Sequence, residues 1–151
     1  MGLFHDGKGS ATVDSGIAII EIDLHSQLKT YQGIVGVIKQ FAIKMTAGGP
    51  PGGGSYEVQV FSRPIADLTE YNAYDESSEY SKIKTIDINS SDNWAWSLPT
   101  NMAVPYRNSV DAQSTPEDVA KIWVGIVPDT PVGDEEFDVF LEFENRGRTG
   151  Y

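Results

Sequence analysis

The segment IVGVIKQFAIKMT at residues 34–46 indicates the fold class, because its apolar side chains recur at every second position. Alternation of this kind is the pattern of a half-buried β-strand. The apolar residues that share one face of that strand are Val35, Val37, Phe41, Ile43 and Met45. The whole chain has 25 Ile and Val residues against six Leu, and β-branched side chains favour pleated sheets over helices. We therefore expect an all-β fold.

Six further segments have the composition of strands. These segments are residues 16–24, 56–62, 82–89, 93–98, 120–127 and 137–144. Residues 120–127 are apolar on both faces, which predicts a central strand. In residues 16–24, Ile17 and Ile19 fall on the face opposite Ile20 and Ile22, which indicates a β-bulge near Ile19.

The connections between these segments differ greatly in length. The stretch AGGPPGGGS at residues 47–55 predicts a hairpin-like turn that joins two neighbouring strands and makes no core contacts. The connections 64–81 and 99–119 are long, which is typical of Greek-key and jelly-roll sandwiches. We expect one helical turn near residues 67–71, and a second short helix capped by Thr115.

These patterns predict one domain, an antiparallel β-sandwich of the jelly-roll kind over residues 16–145. Residues 1–15 and 146–151 are expected to be extended N- and C-terminal arms, because they are rich in glycine and polar residues. The predicted core residues are Ile22, Val37, Phe41, Ile43, Val58, Val60, Ile86, Trp96, Val124, Ile126, Val139 and Leu141.

The chain is acidic, with a formal net charge of −11. Residues 64–145 hold seventeen acids and four bases, whereas the last six residues, RGRTGY, carry two arginines. An acidic surface repels phosphate backbones, so we expect no nucleic acid partner. The sequence also has no run of 18 apolar residues, so we expect no membrane contact.

The residue types that usually carry catalysis are few. There is no Cys, and neither His5 nor His25 stands in a metal-ligand spacing. The acids at 129, 134–136 and 138 are oxygen ligands that could hold Ca²⁺, although consecutive acids are more often a solvated turn. We therefore predict that the protein is not an enzyme and has no cofactor and no metal.

Two tryptophans lie two positions apart, so Trp94 and Trp96 share one face of a strand. If exposed, the pair would form a platform for glycan binding. If buried, both are core residues, and Leu98 on the same face favours that alternative.

The two arms hold the candidate partner-binding residues. Leu3 and Phe4 are an isolated apolar pair, which gains free energy only when it is buried. Arg146, Arg148 and Tyr151 lie in a basic tail, and arginine forms charge-assisted hydrogen bonds with carboxylates. We expect Leu3 and Phe4 to enter an apolar groove of a neighbouring chain and the arginines to pair with acids there. The alternative is an arm that folds back on its own domain.

The order of the segments resembles the jelly-roll decoration (cement) proteins of tailed phages. The residues that carry the resemblance are IKQFAIKMT, the Gly-rich stretch after it, YEVQVFS, AKIWVGIV and FDVFLEFEN, together with the arms MGLFHDGKGS and RGRTGY. The resemblance implies a non-enzymatic virion protein that forms homo-oligomers and clamps major coat protein or other virion subunits at the capsid surface. The alternative function is a carbohydrate-binding sandwich, from a tail, a spike or an extracellular protein.

Overall fold

The computed structural model describes residues 3–23, 36–50, 53–61, 64–73, 80–88, 96–103, 121–130 and 132–145. This part of the chain forms strands and one short helix. The elements are β1 Leu3–Thr12, β2 Ala18–Asp23, β3 Gly36–Ala47, β4 Gly54–Phe61, α1 Leu68–Ala73, β5 Tyr80–Ile88, β6 Trp96–Ala103, β7 Lys121–Pro128 and β8 Glu136–Asn145.

The strands form two four-stranded sheets. Sheet 1 has the order β1-β8-β3-β6 and sheet 2 has the order β2-β7-β4-β5. The first strand pairs with the last, the second with the seventh, the third with the sixth and the fourth with the fifth, always antiparallel. The chain is thus paired as one long hairpin, which the pairings β3–β8 and β4–β7 roll into two layers. This is a jelly roll, and it confirms the predicted antiparallel sandwich.

The core lies between the two sheets. Each predicted core residue whose side chain the structure describes is at most 8% exposed. Trp96 is paired through its backbone with Ile43, and its side chain lies outside the described part. The alternating pattern of strands therefore identifies the buried positions correctly, and the face that Val37 occupies is the exception.

Strand β3 departs from simple alternation. Opposite β8, Ile38 pairs with Phe143 and Phe41 pairs with Leu141, which leaves one extra residue in β3 between the two pairs. This β-bulge moves Ile38 onto the inner face, where it joins the core cluster. Val37 is buried but does not belong to that cluster, so its predicted place beside Phe41 was wrong.

The first strand corrects the predicted boundary of the sandwich at residue 16. Residues 3–12, assigned to an arm from their composition, pair with β8 along their whole length. Gly7 and Gly9 allow a very close approach to sheet 2, since a Cβ on Gly9 would lie 2.3 Å from Cγ2 of Ile20. The glycines that suggested a loose arm are thus required by tight packing. Residues 146–151 lie outside the described part, so the C-terminal arm stays a prediction.

The outer face of sheet 2 is covered by α1 and by a second apolar cluster. The buried members of that cluster are Ile17, Phe61, Ile65, Tyr71 and Trp123, and Ile19 packs against them. This burial explains the apolar residues on both faces of β2 and β7, and β7 lies centrally as predicted. The pairing of β2 with β7 is regular, so the predicted bulge near Ile19 was wrong.

The expected helical turn is α1, which the Asp67 carboxylate caps by accepting the backbone N–H of Glu70 at 2.8 Å. Tyr71 fits against β7 because Gly125 has no side chain, and a Cβ there would lie 2.7 Å from the Tyr71 ring. The Tyr71 hydroxyl donates to Glu57 at 2.8 Å and accepts from the amide of Gln59 at 2.7 Å. The helix is therefore fixed by both apolar and polar contacts.

The stretch at 47–55 differs from its prediction. It connects β3 in sheet 1 to β4 in sheet 2, so it is not a hairpin between neighbouring strands.

The bounds of β6 also differ from the prediction. This strand begins at Trp96 and continues through Pro99, where the sequence pattern suggested an end. Proline is tolerated there because β6 is at the edge of its sheet and Pro99 lies next to the bulge in β3. The helix expected after Thr115 lies outside the described residues.

Candidate interaction surface

One end of the sandwich is built from connections between the sheets, and we call it the loop end. Its described residues are 13–17, 48–50, 53 and 129–135 without 131. The opposite end holds the start of β1 and the end of β8, because Leu3 pairs with Asn145. The loop end and the chain ends are thus separated by the full length of β8.

Hydrogen bonds join the loops at this end to one another. The backbone N–H of Val13 donates to the Glu135 carbonyl at 2.8 Å, and that of Asp129 donates to the Ser55 carbonyl at 2.9 Å. The backbone N–H of Gly49 donates to Oδ1 of Asp134 at 3.1 Å. The stretch at 47–55 therefore contacts the loop before β8. The prediction that it makes no core contacts was wrong, since a Cβ on Gly49 would lie 2.9 Å from Cε of the buried Met45.

A buried carboxylate fixes the loop before β8. Glu135 is 0% exposed, and its two oxygens accept the backbone N–H groups of Val132 at 3.1 Å and Gly133 at 3.3 Å. Hydrogen bonds to an ionised group are stronger than neutral ones. Val132 itself is 52% exposed and is the only large apolar side chain classed as exposed in the described part of the chain. By binding the backbone of this loop, Glu135 fixes it in a position where the Val132 side chain is exposed to solvent.

The acids of this loop do not converge on one point. Asp134 binds Gly49, Glu135 turns inward, and Asp138 accepts the hydroxyl of Ser10 at 2.6 Å. Within the described residues, no group of three or more His, Cys, Asp or Glu side chains is placed to hold a metal ion. The Ca²⁺ alternative therefore finds no support in the geometry of these acids.

The loop end carries negative charge, and the described segments that form and flank it contain no base. Its exposed acids and those of the flanking strand ends are Asp14, Asp87, Asp129, Asp134 and Glu136. None of residues 12–17, 46–55, 85–88 and 127–137 is a Lys, Arg or His. The surface is therefore suited to a positively charged partner.

Tyr56 lies buried beneath this end. Its ring packs edge-on against Phe137 with centroids 5.2 Å apart, and its hydroxyl contacts Sδ of Met45 at 3.6 Å. Burial raises the pKa of Tyr56, and the charges of Glu135 and Asp134 raise it further. All three effects disfavour the phenolate.

The raised pKa of Tyr56 predicts alkaline destabilisation. Above the ordinary tyrosine pKa of 10.0, the unfolded chain loses this proton before the folded protein does. The ionisation of Tyr56 should therefore leave the free energy of unfolding unchanged at neutral pH and lower it as the pH rises above 10.0. In urea titrations from pH 7 to 11, Tyr56→Phe should lose less stability than the wild type. Parallel losses in the two proteins would contradict this assignment.

Of the sequence-predicted partner-binding residues, only Leu3 and Phe4 belong to the described part, and they lie at the end of the sandwich opposite the loop end. The backbones of Leu3 and Phe4 are in β1, opposite Asn145 and Glu144, and their side chains lie outside the described part. Trp94 and the residues Arg146, Arg148 and Tyr151 also lie outside it. The sequence analysis missed Val132 and the buried role of Glu135, because three consecutive acids at 134–136 suggest a fully solvated turn.

A second surface feature is an open depression on the outer face of sheet 1. It is lined by Lys8, Gly9, Ser10, Asp138, Val139 and Phe140. Phe140 is half-buried there, beside the hydrogen-bonded pair of Ser10 and Asp138.

Among the described residues, no helix has the length and apolar character that crossing a bilayer requires.

Comparison with known proteins found no matching family model and no matching curated protein. Solved structures of viral capsids do resemble the chain. A chain of the Triatoma virus empty capsid has a TM-score of 0.41 and 13% identity, over 100% of this chain and 90% of that chain. A Cocksfoot mottle virus chain gives 0.37 and 10%, over 97% and 85%. A Desmodium yellow mottle tymovirus chain gives 0.34 and 12%, over 99% and 91%.

Proposed function

We propose that this protein is a non-enzymatic structural component of a virion that binds neighbouring coat subunits at the capsid surface and forms homo-oligomers. The observation that most supports a binding role is the fixed loop end, where Glu135 holds Val132 exposed. A surface that is already ordered binds a partner without the cost of ordering it. The jelly roll is used by capsid and lectin domains alike, so the fold is compatible with this role but does not choose it.

The side-chain chemistry of the described residues also favours binding over catalysis. Glu135, Asp134 and Asp138 each accept a hydrogen bond from backbone or hydroxyl groups of the protein, as structural acids do. We propose that the surface contacts of this protein involve neither nucleic acid nor membrane, since its charge would repel phosphate groups.

The contacts with neighbouring subunits, whether coat protein or further copies of this chain, would come from the end of the sandwich where β1 begins and β8 ends. Leu3 begins β1 there, and residues 146–151 follow the last paired residue, Asn145. We propose that Leu3 and Phe4 contribute apolar contact and that Arg146, Arg148 and Tyr151 bind an acidic patch. Because residues 3–12 form a strand, deleting them would damage sheet 1, and point substitutions are the appropriate test.

Attachment to particles tests the proposal. Leu3→Ser with Phe4→Ser, and Arg146→Ala with Arg148→Ala, should each reduce co-sedimentation with capsids of the native source. The loss caused by the arginine pair should be greater at low salt, where the wild-type pairing is least screened. Asn72→Ala, an exposed change on α1, is the control and should attach normally. Unchanged attachment by both variants, with circular dichroism showing intact sheets, would contradict the proposed contacts.

The depression on sheet 1 favours carbohydrate binding as a second candidate function. Phe140 offers an aromatic surface next to Ser10, Asp138 and Lys8, which can hydrogen-bond to sugar hydroxyls. Trp94 and Trp96 stay candidates for the same role. Retention of the wild-type protein on glycan-coated beads, lost in Phe140→Ala, together with no attachment to particles, would select this function over the first.

A further inference from the structure

We propose that the loop end is the docking surface for residues 146–151 of a second copy of this chain, with Val132 at its centre. The inference rests on the proposed function, since it names one contact of the assembly. In this contact, the loop before β8 of the second copy forms the acidic patch that binds Arg146 and Arg148. The contact would join two identical subunits from head to tail.

The exposed side chain of Val132 is the first reason. Its loop is fixed by the Glu135 carboxylate and by the bond from Gly49 to Asp134, so Val132 stays 52% exposed in an ordered position. A single exposed apolar side chain is ordinary at a protein surface, but one that is already fixed in position can be buried by a partner without a further cost of ordering. Tyr151 in the tail supplies an aromatic ring that such a contact can bury.

Charge identifies the occupant. Asp129 and Glu136 flank Val132 in sequence and are exposed, and no Lys, Arg or His lies in residues 127–137. The segment RGRTGY holds two arginines and no acid, whereas residues 64–145 carry a balance of 17 acids against 4 bases. Residues 39–44 and 81–86 also hold two bases and no acid, but they lie within strands β3 and β5, whereas the tail follows the last paired residue of β8.

The length of the chain excludes docking within one molecule. Residues Glu136–Asn145 form one strand, so the loop end lies about 30 Å from the point where residue 146 begins. Three residues beyond Asn145 reach at most about 11 Å, and six reach about 22 Å. The arginines therefore cannot return to their own loop end, although they can reach that of a neighbour.

A contact between two different surfaces of identical chains is heterologous. It closes into a ring or continues as a filament, depending on the rotation between subunits. Self-association should therefore require both surfaces, and a defect in either should be complemented by a partner with the opposite defect.

Charge reversal tests this directly. One variant carries Asp129→Lys with Glu136→Lys, and the other carries Arg146→Glu with Arg148→Glu. In sedimentation velocity at low salt, each variant alone should self-associate at least about tenfold more weakly than the wild type. An equimolar mixture should recover association, because the basic loop end then meets the acidic tail. Gln40→Lys with Asn72→Lys adds positive charge at exposed positions outside the loop end and should leave association unchanged.

Cross-linking locates the contact, and the natural chain has no cysteine to interfere. Val132→Cys mixed with Thr149→Cys should form an intermolecular disulfide faster than Gln40→Cys mixed with Thr149→Cys, because Gln40 is exposed but lies outside the loop end. If association in the mixture is not recovered while wild-type protein still attaches to particles, the tail contact is overturned and the structural role stands. If the wild type neither self-associates nor attaches to particles, both proposals fail.

Discussion

Replacing Gly48 by alanine is expected to lower the free energy of unfolding by about 2–4 kcal/mol. Gly48 has a φ of 75°, and a Cβ there would lie 2.2 Å from the backbone oxygen of Asp134. The left-handed backbone disfavours any side chain, and relieving the overlap would pull the loop before β8 away from Gly49. Urea denaturation at pH 7 measures the loss.

Gly133→Ala is the matched control. Gly133 also has a positive φ, of 93°, but nothing lies within 4 Å of a Cβ at that position. Alanine there should cost only the backbone term, about 1–2 kcal/mol. The difference between the two variants then isolates the contact between the loops. Equal losses in both would show that Gly48 does not pack against Asp134.

Two kinds of strand could be predicted from the sequence. Strands with one face in water show alternating apolar residues, and strands with both faces buried show continuous apolar runs. The inner faces at Phe41 and Leu141 follow from simple alternation, and the structure confirms them. The position of Ile38 does not follow, because one extra residue in β3 reverses the alternation. A bulge leaves little local signal in composition, so the register before it could not be assigned.

Strand β1 shows a different limit of sequence analysis. Its central positions hold Gly7, Lys8, Gly9 and Ser10, a composition that favours turns and frayed ends. In the fold, the missing side chains are what brings β1 against Ile20 and Ile22. The low β-propensity of these residues therefore argued against a strand. The pairing of β1 with β8 shows that tertiary packing overrides this propensity.

The candidate interaction surface could be predicted only in part. Its negative charge follows from composition, but the exposure of Val132 depends on Glu135 turning inward to bind two backbone N–H groups. Nothing in the run of acids at 134–136 distinguishes the buried one from its neighbours. The separation of the loop end from the chain termini likewise requires the direction of β8, which comes from its pairing.

Phe41→Ala should lower the free energy of unfolding by about 3–5 kcal/mol, the usual cost of removing a buried aromatic ring. Phe41 is 0% exposed and lies opposite Leu141 on the inner face of sheet 1. Truncation leaves a cavity between two sheets that are held in register by many backbone hydrogen bonds. The sheets cannot collapse to fill it, which places the expected loss toward the upper part of that range.

Phe140→Ala provides the comparison within the same sheet. Phe140 pairs with Ala42, the residue next to Phe41, but belongs to the outer face and is only half-buried. The same truncation there removes less buried area and opens no closed cavity, so its cost should be less than half that of Phe41→Ala. Denaturant titrations of both variants with unchanged m-values make the comparison quantitative. Losses of similar size would mean that the two faces of sheet 1 are equally enclosed, which would contradict the assignment of its outer face to solvent or to a partner.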